Sequence, residues 1–401
     1  MADPLPLPGG LLLRECRPDD VAQVGALLAE RGEPEDAEDH RLVVTDPDEG
    51  LSSCAVVVDG DRVVSTATLL AETVRVGDVV LPAGQVELVA TDRAYEGRGL
   101  VRALMAWAHD RSAARGDLLQ VMVGIPYLYR LFGYEYAIDI PRARPLALAP
   151  AGAGALRRAG PEDAGVIADL QAAAQAGADV AMPHPAARLR WLLTHEASTT
   201  WVLGDGEPVA SARVQEREDE LLVAETTARD EADADRLLHG LLGLAGGRAV
   251  RVVDRPWAAT GRAWTDRLGA GPESAEQYYV RVADPVVLLD ALRPVLDRRL
   301  ATAPALEVPE LVLSTYDRSY RLAVTDDGLG PVRTAGRLPW PGAEGGAAFP
   351  PDLWAALLLG PLGITGLDRL YADVVPGPQA EALAALFPPL TADLLTYYLP
   401  W

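Results

Sequence analysis

The stretch "LRECRPDDVAQVGALLAE" from Leu13 is met again, degenerate but in order, as "LRRAGPEDAGVIADLQAA" from Leu156. Leu13/Leu156, Arg14/Arg157, Pro18/Pro161, Asp20/Asp163 and Leu27/Leu170 match, so polar punctuation and apolar stripe recur together. Such a repeat means one folding unit used twice. Whatever the first unit folds into, the second must approximate. Each copy reads as a strand followed by a helix that a proline starts. Two acids charge its first turn, where carboxylates meet the positive end of the helix dipole.

The pattern divides the 401 residues into three segments, 1–142, 150–284 and 285–401. In the first, "SCAVVVDGDRVVSTATLLAETVRV" predicts two strands joined by a hairpin at Asp59 and Gly60. "GDVVLPAG" and the strand "QVELVAT" come next. A glycine-bearing turn and a helix follow, then the strand "LLQVMVGI", a short helix "PYLYRLFGY" and a strand near "EYAIDI". The Ala/Gly/Pro-rich "PRARPLALAPAGAGA" predicts a linker. The second copy repeats the mixed α/β order. The third segment opens with an amphipathic helix carrying Val286, Leu289, Leu292 and Leu296, continues with two strands, and ends in short helices. The expected class is α/β for the repeated units and α+β for the last.

Charge excludes several functions. A net charge of −22 and a pI near 4.6 argue against nucleic acid and anionic membranes, whose phosphates need clustered cations. Cationic small molecules suit it better. All basic residues are arginine, so lysine Schiff-base and pyridoxal-phosphate chemistry are excluded. Cys16 and Cys54 read as buried thiols, and the five histidines show no ligand spacing, so no metal is expected. The start "MADPLPLPGG" has no cationic leader region and no apolar run reaches about 18 residues. A soluble cytoplasmic protein is the expectation.

The turn "RAYEGRGLVRALM" carries the chemistry. A dinucleotide fingerprint would need a third glycine where Arg102 stands, and a nucleotide P-loop would need a lysine. What remains is the physics common to both: backbone N–H groups freed at a helix N-terminus and opened by glycine bind a pyrophosphate. A phosphorylated cofactor is therefore expected in the first unit. The second copy, "ELLVAETTARDEADADRLLHGLLG", has no glycine in its turn and is expected to bind none.

"VELVAT" followed by "YEGRGLVRALM" resembles the acyl-CoA site of the GNAT superfamily of N-acyltransferases, and "YRLFGY" resembles its terminal Tyr-x-x-x-Gly-aromatic element. The order and the three-part length are similar to the enhanced intracellular survival (Eis) acetyltransferases. That resemblance implies tandem GNAT folds, the second degenerate, followed by a sterol-carrier-protein-like domain. It also implies acetyl-CoA as co-substrate. Val89, Ala90 and Thr91 would meet the pantetheine, Gly97, Arg98, Gly99, Leu100, Val101 and Arg102 would wrap the pyrophosphate, and Gly124 and Ile125 would line the same cleft. Glu96 and Val101 depart from the superfamily's pattern, and an acid beside a pyrophosphate is unfavourable unless it points away. Tyr129 matches the general acid that protonates the departing thiolate, while Tyr127 and Tyr134 read as packing residues.

Two bases compete, Glu87 on the cofactor strand and, by the likeness to Eis, the C-terminal carboxylate of Trp401. Glu33, Glu35, Asp36, Glu38 and Asp39 offer negative charge to a cationic acceptor. The expected activity is acetyl-CoA-dependent N-acetylation of a primary amine on an aminoglycoside-like molecule by direct attack on the thioester. Acylation of protein lysines or polyamines, and a non-catalytic acyl-CoA or lipid binder, are the alternatives. The resemblance further implies a homo-oligomer, a hexamer.

Overall fold

The computed structural model describes residues 4–148, 154–194, 198–204, 206–304, 306 and 308–396. Among them, no helix is long and apolar enough to cross a membrane.

The first unit is built on a mixed sheet in which strands Leu12–Glu15, Cys54–Asp59, Arg62–Val76 and Val79–Thr91 pair antiparallel in turn. Strand Leu119–Met122 then joins parallel to Val79–Thr91. Helices Val21–Arg31 and Leu100–Arg115 cover the sheet with Val24, Leu27 and Leu28 on one side and Leu100 and Leu104 on the other.

The strand expected over "QVELVAT" begins earlier and takes in "LPAG": Val79–Thr91 is one strand. Pro82 lacks an N–H, but its carbonyl still accepts from Leu118 N at 2.9 Å, so the ladder continues through it. Gly84 is there for space. A Cβ would fall 2.8 Å from the Arg115 guanidinium and 2.9 Å from Asp117 and Leu69.

The repeat is reproduced atom by atom. Arg14 is 2.6 Å from Asp20, which also accepts from Arg17 N; Arg157 is 2.7 Å from Asp163, which accepts from Gly160 N. Each aspartate thus closes its helix start in the same way, and each half of the matching sequence makes one such lock. The second sheet runs Leu156–Arg158, Thr199–Leu203, Ala210–Glu216, Glu220–Ala228, Ala249–Val253. Its last pair is parallel, as in the first unit.

The two sheets exchange strands. Gln277–Val282 leaves the second unit and lies between Leu119–Met122 and Glu135–Asp139 in the first sheet, while Ala143–Pro145 pairs with Ala249–Val253 in the second. We propose 1–142, 150–284 and 285–401 as the division of the chain, with one strand passed each way.

The third unit places helix Pro285–Leu300 against strands Glu310–Ser314 and Arg318–Thr325, with Leu288, Leu289, Leu292 and Leu296 inward. Its core is continuous with the far end of the first sheet, from Val74, Leu81 and Ile138 through to Trp354 and Leu386. Strand Ala392–Leu394 pairs with Val180–Met182, which itself pairs with Arg75 and Val76, so all three segments meet at that edge.

Candidate active site

The site begins with a defect in the cofactor strand, Val79–Thr91. Its pairing with Arg62–Val76 is regular until a register jump between Thr66, opposite Ala90, and Thr68, opposite Glu87. Leu88 sits inside that bulge with φ of 52°, a conformation uncommon for a side-chain-bearing residue and retained where function needs it. On the other side, parallel pairing with Leu119–Met122 ends at Gln85 opposite Val121. Beyond that point the two strands part.

The opening is a cleft of about 380 Å³, lined by Val86 to Ala90 on one wall, Val123, Gly124, Ile125 and Tyr129 on the other, and Leu28, Arg31 and Asp36 across its mouth. Thr91 continues the first wall at the strand's end.

The glycine-bearing turn opens helix Leu100–Arg115. Gly97 and Gly99 both have positive φ, 73° and 79°, and Gly99 is the left-handed residue that starts the helix. A Cβ at Gly99 would meet nothing within 4 Å, so conformation and not space demands glycine. No side chain caps this helix, which leaves its first N–H groups to a ligand. Arg98 stacks on Tyr95 at 4.5 Å and Arg102 on Phe132 at 5.7 Å, while Val101 packs among Tyr129 and Phe132. Glu96 is paired with Arg31 at 2.5 Å, so its charge is neutralised at the rim. The residues present fit a CoA pyrophosphate. Gly99→Val should weaken acetyl-CoA binding about tenfold in calorimetry, since a left-handed β-branched residue costs about 1–2 kcal/mol.

Tyr129 lies in the short helix Leu128–Phe132, only 7% exposed, with its ring against Tyr134, Tyr279 and Phe132. Gly124 makes room for it: a Cβ there would fall 2.3 Å from the Tyr129 ring. Burial, then the Glu87 carboxylate, then Tyr279 push the Tyr129 hydroxyl up to about 12. Glu87, on the facing strand, accepts from Gln85 Nε2 at 2.6 Å.

Two tyrosine expectations separate here. Tyr134 is buried, its hydroxyl 3.1 Å from His109 Nε2. Tyr127 is not a packing residue. It is 68% exposed with φ of 72°, and its N–H donates to the Tyr279 hydroxyl at 2.7 Å. Tyr279, stacked on Tyr136 at 3.9 Å, arrives on the exchanged strand, and no local sequence signal assigns it to this site. The acidic stretch is helical from Asp36 onward, and of its five carboxylates Asp36 alone lines the cleft, where burial pushes its carboxyl up. Glu38 pairs with Arg41 instead. Trp401 lies outside the described residues.

The second unit repeats the bulge, with a register jump between Arg213, opposite Glu225, and Val214, opposite Val223. Its opening is filled. Glu225 is 2.6 Å from Arg213, 2.8 Å from His184 and 3.2 Å from Gln171. The matching helix Glu231–Ala245 is capped by Asp230, which accepts from Asp233 N, with Glu231 and Asp233 in its first turn. Carboxylates occupy the place of the phosphate. Calorimetry should therefore give one acetyl-CoA per chain; two would contradict this geometry.

The family model described as an acetyltransferase (GNAT) domain matches residues 13–137. No curated protein matches the sequence significantly. Among solved structures, a GCN5-related N-acetyltransferase from Kribbella flavida is 21% identical with a TM-score of 0.69, covering 97% of this chain and 100% of its own. One from Anabaena variabilis is 14% identical with a TM-score of 0.71, at 97% and 100% coverage. Eis1 from Mycobacterium abscessus is 17% identical with a TM-score of 0.65, again at 97% and 100%. A GNAT domain makes the chain an acyltransferase and implies acetyl-CoA as co-substrate. Residues 13–137 thus match the GNAT acetyltransferase domain, and the whole chain has the fold of the GCN5-related N-acetyltransferases and of Eis1.

Proposed function

We propose that the chain acetylates a primary amine of a cationic, aminoglycoside-like small molecule by direct attack of that amine on the acetyl-CoA thioester. The observation that carries this reading is one cleft holding the splayed Glu87–Ala90 wall, the Tyr129 ring and the carboxylates of Glu87 and Asp36, with the uncapped helix start at Gly99 tied to its rim through the Glu96–Arg31 pair. Those carboxylates suit a substrate with several positive charges.

Acetyl-CoA, when bound, supplies the activated acetyl group. Main-chain N–H groups from Gly99 to Arg102 hold its pyrophosphate, and Val89, Ala90 and Thr91 present main-chain groups to its pantetheine. Glu87 takes the proton of the attacking amine. Tyr129 gives its proton to the leaving sulfur. At about 12 this hydroxyl is a weak acid toward a thiolate whose ordinary value is about 8.5. The charge on Glu87 is one reason for that weakness, second to burial. Protonating Glu87 removes the charge and strengthens Tyr129 as a donor, so the first proton transfer prepares the second.

Thiol release is measured with acetyl-CoA and an aminoglycoside, a polyamine and a lysine peptide, and the product is identified by mass. Release with the aminoglycoside and a product one acetyl heavier support the reading. Preference for the peptide or polyamine moves the acceptor to that class, and no release with any amine removes it. Comparing Glu87→Gln with a short polar tail appended after Trp401 separates the two candidate bases, because only the group in that role reduces turnover when altered.

A further inference from the structure

The chain holds two cysteines and five histidines in 401 residues, yet both cysteines and one histidine meet at a single buried point. Cys16 follows strand Leu12–Glu15, Cys54 opens strand Cys54–Asp59, and His40 lies in helix Asp36–Thr45. Cys16 N–H donates to the Cys54 carbonyl at 2.8 Å, so the two cysteines are cross-strand neighbours. His40 Nε2 stands 3.3 Å from Cys54 Sγ, and the three donor atoms all lie within 4.8 Å of one another. Cys16 is 5% exposed, and His40 and Cys54 are fully buried.

We propose that Cys16 Sγ, His40 Nε2 and Cys54 Sγ bind a thiophilic d10 cation, zinc or cuprous copper, inside the first unit. Bonds of about 2.3 Å to sulfur and about 2.0 Å to nitrogen at tetrahedral angles set donors roughly 3.5–3.8 Å apart. The observed spacing needs an adjustment of about 1 Å at most to reach that. Thiolate and imidazole are the ligands these two ions favour, whereas calcium and magnesium require oxygen.

The surroundings keep carboxylates away. Asp20 is engaged by Arg14 and the Arg17 N–H, and Glu15 by Arg111. Val24, Leu27, Val56 and Leu88 form the apolar shell. In it, two thiolates cancel the charge of a zinc ion, so the closed site costs little desolvation. Thr66 Oγ1, 3.4 Å from Cys54 Sγ, offers zinc a neutral fourth oxygen, and cuprous copper needs none. His40 Nδ1 has no hydrogen-bond partner among the described residues, so this buried imidazole is compensated through Nε2 alone. A disulfide suits the place less well. In a hydrogen-bonded cross-strand pair the Cβ atoms sit about 5.5 Å apart, against about 3.5–4.5 Å in a disulfide.

The cation would fasten helix Asp36–Thr45 to the sheet. That helix carries Asp36 into the cleft, and Leu88 and Ala90 of the cofactor strand pack in the same cluster. Occupancy therefore bears on the acceptor side of the cleft without touching the chemistry.

The test uses the full reduced chain loaded separately with zinc, cuprous copper and cobalt(II), desalted, and measured for metal content. Expected are one zinc or one copper per chain, thiolate-to-cobalt charge-transfer absorption, and a higher melting temperature for the loaded protein. Cys16→Ser and Cys54→Ser should lose the stoichiometry while still binding acetyl-CoA. Should either variant fail to fold, the cobalt spectrum of the unaltered chain decides, because only sulfur ligation produces that absorption. The proposal is overturned if both thiols titrate as free and no metal is retained, or if the freshly purified chain contains a Cys16–Cys54 disulfide.

Discussion

Tyr129→Phe is expected to lower kcat by about 100- to 10,000-fold, the usual contribution of a positioned general acid. The substitution removes only the hydroxyl. The ring keeps its place beside Gly124 and against Tyr134, Tyr279 and Phe132, so stability and acetyl-CoA affinity should change little. The pH profile gives a second readout. The reaction needs Tyr129 protonated, and its hydroxyl is pushed up to about 12. Loss of activity from its ionisation therefore begins near pH 12 and not near 10, the ordinary tyrosine value. Normal turnover in the phenylalanine variant would remove Tyr129 from the mechanism.

The largest effect on stability is expected from Glu225→Gln in the filled opening of the second unit. Glu225, Arg213 and His184 are all buried, and the carboxylate bonds both of the others. Burial alone would push the Glu225 carboxyl up, but Arg213 and His184 outweigh it and hold it well below the usual range. Burial also holds His184 below its ordinary value, so the neutral ring donates. Glutamine removes the negative member of this buried cluster, at a cost of about 3–5 kcal/mol, readable as a shifted denaturant midpoint. The sign with pH follows from the depressed carboxyl. Its contribution is present above the unfolded value of about 4.3 and fades as pH falls toward the lower folded value. The difference between the proteins should therefore narrow in acid.

Much of this was legible before any coordinates. The repeat announced two similar units, and the paired Arg14–Asp20 and Arg157–Asp163 locks are the same matches in three dimensions. Gly97 and Gly99 do take the positive φ that a glycine-opened helix start requires. Tyr129, four residues before Gly133, does line the cleft.

What escaped was non-local. The strand read as "QVELVAT" runs back through Pro82 and Gly84, and only the carbonyl partner of one and the crowding around the other explain its continuity. The far rim of Leu28, Arg31 and Asp36 comes from how a helix lies over the splayed strands, which its own stripe does not encode. The meeting of Cys16, His40 and Cys54 likewise depends on register and helix placement, not on spacing.

The exchanged strands carry a consequence for ancestry. A gene shortened to residues 13–137 would specify a sheet with a vacancy between Leu119–Met122 and Glu135–Asp139, and would lack the ring of Tyr279 beside Tyr129. The second copy, in turn, would lose the strand at Ala143–Pro145 that borders its own sheet. After such a trade neither descendant of the duplication can be discarded. The copy with the filled opening supplies the strand that completes its sibling's sheet.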